Sequence, residues 1–312
     1  MTKYPRVVAA VFDEPWAILP SKMEAIVELV ETQSAGVKFS AEEIEARLNG
    51  SRVAATARKA GAVQVIPVQG VIARRMNLMT QMSGGTSTEV VGAQIREAMR
   101  DDAVKAIVLD VDSPGGSVSG TDELAAEIAS LRGKKPIIAS VTGMAASAAY
   151  WIASAADEIA ASPTSLVGSI GVILPHVDQS KAEEAAGFRT TLIHAGRYKV
   201  EGNPHEPLTD EARSALQDMV DQYYAMFVDR VAANRGVSSA VVRNDYGEGR
   251  VVTASAGKRA GMVDRIETLP ETLARLGASS GAGRVLRAEE ETGAPQAMDL
   301  PTLRRIVDLN RE

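Results

Sequence analysis

The 312-residue sequence contains no cysteine. Disulfides, thiolate nucleophiles and cysteine-ligated zinc or iron–sulfur sites are therefore excluded together. Histidine is scarce as well: His176, His194 and His205 are the full complement, which argues against a His-rich metal centre. Aromatic residues make up only 4%, so the stacking platforms used by single-stranded nucleic acids are missing, and Ala, Val, Ile, Leu and Met must fill the core. Positive charge is not in excess: 34 Lys and Arg face 40 Asp and Glu, a net charge of -6. Without a basic field to hold a polyphosphate, nucleic acid is a poor partner. No stretch reaches about 18 consecutive uncharged apolar residues. The N-terminal MTKYPRVVAA meets Asp13, Glu14 and Pro15 before an apolar signal region can form. These features predict a cytoplasmic protein without a membrane anchor. They leave hydroxyl, amine and carboxylate groups to carry any chemistry.

What is present is an ordinary globular composition, 45% hydrophobic and 24% charged, in a chain long enough for one large or two small domains. Residues 1–60 read as a helical preface. Lys22 to Thr32 places Met23, Ile26, Val27, Leu29 and Val30 on one stripe, and Ser40, Glu42 and Glu43 offer capping chemistry for a second helix over 41–48. From Ala62 a β-branched run, interrupted by Pro67 and Gly70, opens the main domain. Helices over 88–100 and 121–131 alternate with apolar strands over 106–111 and 136–141. Met144 to Ala156 follows as an Ala-rich helix, then strands over 158–161 and 168–173. Such alternation predicts a parallel α/β sheet with right-handed crossovers, whose active groups gather at strand C-terminal ends. A long amphipathic helix over 209–234 closes at Gly236, with short helices over 238–243 and 255–260 and a last strand near Val263. Residues 276–312 read as a flexible linker with a terminal helix over 299–309. The main domain is thus expected over 61–275.

Three glycine-containing segments at strand ends could converge: DSPGGS at Asp112–Ser117, TGMAASAAYW at Thr142–Trp151 and GSIG at Gly168–Gly171. Ser147 follows a strand and opens a helix among small residues, which can expose its hydroxyl near a positive helix end. In the first segment, Pro114 fixes one φ angle while Gly115 and Gly116 allow successive N–H groups to turn inward and hold an oxyanion. The bland meanings of the same letters are a close helix contact and a Pro-Gly turn. A phosphate loop is excluded, since no Gly-Lys-Ser/Thr follows and Asp110 and Asp112 would repel phosphate. A serine nucleophile needs a base. His176, His194, His205 and Lys199 are all available downstream, and a lysine serves only if burial or nearby positive charge lowers its pKa. Pattern alone does not choose between His and Lys.

The succession DSPGG, GMAASAAYWIA, ASPTSLVGSIGV, a Gly-x-x-Lys loop before a long helix, and the late GRVVTASAGKRAGMVDRI resembles the SppA family of serine peptidases, which includes signal peptide peptidase A and phage protein C capsid proteases. The similarity runs from about Ala62 to Ile266. It implies a ClpP/crotonase-like α/β spiral and a Ser-Lys dyad. By resemblance, Ser147 matches the nucleophile and Lys199 the general base, in a loop after a strand at Ile193. Gly115 and Gly116 match the oxyanion-hole loop, and Ser169 matches a serine that orients the lysine amine. The family implies neither metal nor other cofactor. Cellular members usually carry Ser-Gly-Gly at the nucleophile, where Ala148 and Ala149 stand here and could narrow the site. The segments PWAILPSKMEAIVELV, HVDQSKAEEAAGF and KVEGNP look like phage or prophage head-maturation proteases. The resemblance therefore implies polypeptide substrates such as scaffold, portal or capsid proteins, a homo-oligomer, and action in host cytoplasm or procapsid. A cytoplasmic signal-peptide-degrading enzyme and a non-catalytic crotonase-like assembly module are the two alternatives.

Overall fold

The computed structural model describes residues 14–34, 56–75 and 85–277. The helix expected over 41–48 and the tail beyond 277, with its terminal helix, lie outside the described residues.

The large sheet has eight strands. Its centre is β3 (Val63–Gln69), β6 (Ala106–Ser113) and β8 (Ile137–Ala146), all parallel, in the registers Val63↔Ala106 and Ile107↔Ile137. The first six residues of β6 are buried at five positions and polar only at Asp110, as expected of a strand covered on both faces. Antiparallel β2 (Arg58–Ala60) borders β3 but reaches only Val65. Pro67 lies beyond that pairing, on an edge where no ladder donor is required. On the other side β8 divides its partners. Its first half pairs with β9 (Glu158–Ala161) at Ile138–Val141, and its last three residues pair with β10 (Leu166–Gly168). The short β11 (Val251–Thr253) and β12 (Arg265–Ile266) then extend β10 and β9. A second, four-stranded sheet has the order β1 (Trp16–Ile18), β7 (Gly115–Ser117), β4 (Ile72–Ala73), β5 (Thr86–Ser87).

The helices follow their capping chemistry. Ahead of them all, α1 (Pro20–Ser34) buries Met23 and Ile26. Ser87 caps α2 (Thr88–Arg100) by accepting from the Val90 N–H, and α2 buries Val91, Ile95 and Ala98. In α3 (Thr121–Leu131) the buried set is Leu124, Ala125 and Ile128. Thr209 caps α6 (Asp210–Arg235), which ends at left-handed Gly236. Between them stand α4 (Ala148–Ser154) and α5 (Ser180–Ala185), which has no buried residue. Ser238 and Thr253 cap α7 (Ser239–Asp245) and α8 (Ala254–Ala260), and a complete capping box at Thr268 and Glu271 starts α9 (Leu269–Arg275). One apolar cluster joins both sheets to α2, α3, α4 and α6, and within it Trp151 of α4 stacks on Phe227 of α6 at 4.2 Å.

Three expectations are corrected. Met144–Ala146 belong to β8 rather than to the Ala-rich helix, because pairing of Met144, Ala145 and Ala146 with Leu166, Val167 and Gly168 holds them extended. The strand read over 168–173 ends at Gly168, since Ser169 adopts a positive φ of 53°. The last strand lies at Arg265–Ile266, after Val263 has gone into the core. The preface also carries a strand, β1, that composition did not announce. Among the described residues no helix is long and apolar enough to cross a membrane.

Candidate active site

Ser147 stands between β8 and α4, where the sheet splits. Its backbone adopts φ 55°, ψ -118°, a region L residues rarely enter. Such strain persists only where surrounding contacts over-determine it. Here the Ser147 N–H donates to the Gly168 carbonyl at 2.7 Å and its own carbonyl accepts from Trp151 at 2.9 Å. The result is a sharp strand-to-helix elbow, the geometry that presents a nucleophile hydroxyl. The Ser147 Oγ donates to the Gly171 carbonyl at 3.3 Å, and the residue is wholly buried.

The glycines expected to form the oxyanion loop lie beside it. A Cβ built on Gly115 would come within 3.0 Å of the Ser147 Cβ, and one on Gly116 within 1.8 Å of the Ile72 carbonyl oxygen. Neither position tolerates a side chain, and Gly115 further requires φ 100°. The Gly115 N–H donates to the Ser113 Oγ at 3.1 Å. The Gly116 N–H belongs to the β1–β7 ladder, opposite Ala17. A further donor escaped the sequence reading. Ala148 is the first residue of α4, so its N–H has no intrahelical acceptor and follows the serine directly. The signal for it was available, because the residue after an elbow serine is the usual second donor.

Ser169 is buried next to Gly168, and its N–H donates to the Arg250 carbonyl at 2.8 Å. Ser147 and Ser169 are two of the three positive-φ non-glycine residues among those described, and both sit at this junction. Tyr150, from the same small-residue segment, is buried and donates its hydroxyl to the Met262 carbonyl at 3.0 Å. Burial raises its pKa strongly, so it stays neutral and is no base.

Lys199 is placed differently. Every residue from Glu184 through Lys199 is exposed, and no strand forms at Ile193. The Lys199 N–H donates to the Gly196 carbonyl at 3.1 Å, and no hydrogen bond joins its side chain to Ser147 among the described residues. The stretch is also unusually apolar for its exposure, with Phe188, Leu192, Ile193 and Tyr198 on the surface and Ile193 at 93%. The histidines have ordinary partners: His176 and His194 contact the Gly202 and Gly196 carbonyls, and His205 pairs with Glu183 at 2.7 Å. None contacts Ser147.

The model of peptidase family S49 matches residues 129–282, and that of Clp protease matches residues 61–167. The second match together with the parallel α/β sheet makes the fold ClpP/crotonase-like. The head-tail preconnector protein of Enterobacteria phage P21 is 32% identical over 83% of this chain and 54% of its own length. The capsid assembly protease C of Escherichia phage lambda is 32% identical over 84% of this chain and 63% of its own. The chain thus spans somewhat more than half the length of these two relatives. A putative protease of Synechocystis is 31% identical over 67% of this chain and 74% of its own length. The S49 match includes the serine elbow and the Clp protease match includes the glycine loop, and the chain belongs to peptidase family S49.

Proposed function

We propose that the chain is a serine endopeptidase with a Ser147–Lys199 dyad, and that it matures phage or prophage heads by cleaving scaffold, portal or capsid proteins. The observation that carries the reading is the strained elbow at Ser147, packed against the glycine loop. In the reaction, neutral Lys199 takes the Ser147 proton as the Oγ attacks a peptide carbonyl. The N–H groups of the glycine loop and of Ala148 receive the oxyanion. The lysine returns the proton to the leaving amine, and water then hydrolyses the acyl-enzyme. Ser169, buried at the same junction, would orient the amine.

The exposed position of Lys199 gives oligomerisation a chemical purpose. Copies packing through the apolar stretch 184–199 would bury Lys199, and desolvation favours the neutral amine. The names of the two phage relatives support the head-maturation role.

The test is labelling by an acylating active-site probe. Labelling must vanish in Ser147→Ala and in Lys199→Ala. It must vanish also in Lys199→Arg, because a guanidinium keeps charge but cannot accept the proton. Labelling that survives Lys199→Ala and is lost in His176→Ala refutes the dyad. Absence of labelling in every variant and assembly state points to the non-catalytic module. Co-expression with scaffold and capsid precursors decides the biological role: cleavage of signal peptides but not of these precursors supports the cellular alternative.

A further inference from the structure

Ser147 is entirely buried, yet a peptidase must bring a polypeptide to it. The chain segment that stands in the way is β1. It runs antiparallel to the oxyanion strand β7 in the register Trp16↔Ser117, Ala17↔Gly116, Ile18↔Gly115. Flanking bonds from the Leu19 N–H to the Pro114 carbonyl at 3.0 Å and from the Val118 N–H to the Pro15 carbonyl at 3.2 Å fix the alternation. Ala17 and Gly116 are therefore the hydrogen-bonded pair between them, and the Gly116 N–H donates to the Ala17 carbonyl. That carbonyl oxygen would lie 2.2 Å from a Cβ on Gly115, and the Ser147 Cβ would lie 3.0 Å from the same point. On its other edge β1 is clamped by Ile173: the Trp16 N–H donates to the Ile173 carbonyl at 2.8 Å, and the Ile173 N–H returns a bond at 2.9 Å. A peptide carbonyl thus already occupies the oxyanion donor beside the nucleophile, in a strand held between the glycine loop and the segment whose Gly171 carbonyl accepts from Ser147.

We propose that Pro15–Leu19 is an intramolecular occupant of the peptide-binding groove, and that a substrate must displace it. The inference rests on the peptidase reading of the same site. A substrate taking its place is an extended polypeptide that adds a strand between β7 and residues 171–173, with main-chain bonds supplying affinity. The residue in the register of Ala17 must be small and apolar, because Ala17 is fully buried in the central apolar cluster. The occupant lowers apparent substrate affinity by the fraction of time the groove is open. Only three residues of β1 pair in the ladder and β1 lies at a sheet edge, so its release opens no other strand pairing of the four-stranded sheet.

Tryptophan fluorescence of the full chain tests this directly. The sequence holds two tryptophans. Trp151 is buried and stacked on Phe227, so it is a silent internal standard, whereas Trp16 is shielded only while β1 is seated. A tetrapeptidyl aryl phosphonate ending in alanine fills both Ser147 and the groove, while a small fluorophosphonate fills Ser147 alone. The peptidyl reagent is expected to red-shift Trp16 and open it to iodide quenching, and the small one to leave it shielded. Stoichiometric labelling by the peptidyl reagent with Trp16 still shielded overturns the proposal and leaves the peptidase reading intact. A second arm uses Ala17→Pro, which deletes the N–H donated to Gly116 and loosens β1. Labelling by the peptidyl reagent should accelerate about tenfold. A folded Ala17→Pro protein that labels no faster overturns the proposal; if the variant does not fold, the Trp16 measurement on the unaltered chain decides. Labelling by neither reagent, in the unaltered chain and in folded Ala17→Pro and in every assembly state of each, refutes the peptidase reading and the groove with it.

Discussion

Replacing the buried serine at the elbow by glycine should abolish acylation and make the fold more stable. Ser147 holds φ 55°, ψ -118°, and a non-glycine residue in such a region costs about 1–3 kcal/mol. Glycine adopts the same angles without a Cβ penalty and recovers most of that cost. Two losses oppose the gain. Glycine gives up more backbone entropy on folding, about 0.5–1 kcal/mol. The Oγ bond to the Gly171 carbonyl also goes, but at 3.3 Å it is long, and its net worth is at most about 0.5 kcal/mol. The balance is a stabilisation of about 1 kcal/mol, or roughly 2–4 °C in Tm for a domain of this size. Ser147→Ala keeps the Cβ and the strain and loses the same hydrogen bond, so its stability should equal or fall slightly below that of the parent. Urea denaturation at one protein concentration, run beside probe labelling, separates the three chains. If Ser147→Gly proves no more stable than Ser147→Ala, the elbow is not strained and the structural case for a positioned nucleophile fails.

The other predictions concern what holds that elbow. Gly116→Ala would drive a methyl to 1.8 Å from the Ile72 carbonyl oxygen; backbone must move to admit it, and a loss of about 3 kcal/mol in urea denaturation is expected. Phe227→Ala removes the ring stacked on Trp151 and should cost about 3–5 kcal/mol, with slower labelling of Ser147 because α4 loses its support. In Asp264, burial pushes the carboxyl pKa up, but the Arg235 guanidinium and the Ile159 N–H outweigh it and hold the value below the ordinary 3.8. A depressed folded pKa means that the stabilisation is present above pH 3.8 and is lost as pH falls through the lower folded value. Acid titration of stability should therefore be shallower below pH 4 in Asp264→Asn than in the parent.

Legibility in the sequence followed the length and periodicity of each element. The helix over 121–131 was read to the residue, and Gly236 was read as the stop of the long helix, because an amphipathic stripe and a left-handed glycine are local signals. Ala145 and Ala146 misled because alanine favours helix when no neighbour intervenes, and their extended state is imposed by β10, a partner some twenty residues away in sequence. Three-residue strands such as β1 and β11 have no period to detect. That Ser147 and Gly115 could converge was legible from their places at strand ends, but the roles of nucleophile and oxyanion loop came only through the resemblance. The exposure of Lys199 was not legible at all: GRYK has the same letters whether the loop lies in a cleft or on the surface.

The divergence at Ala148 and Ala149 from the usual glycines can now be weighed. Both methyls are fully buried in the central apolar cluster, so they contribute to the packing of α4 against the core. The approach itself is formed by main chain: the glycine loop, the 171–173 segment and the first N–H of α4. Recognition by main chain depends on an extended partner and little on its sequence, with one small-residue requirement at the register of Ala17. Such a groove would accept many unfolded or loosely packed segments, and selectivity would have to come from access. Two features of this chain restrict access. A strand of its own sits in the groove, and the proposed base stands on an exposed apolar stretch that becomes buried only when another surface covers it. The first would be lifted by an extended substrate that displaces the strand, and the second by a surface that covers Lys199, which suits a peptidase that stays silent until its substrates are gathered around it.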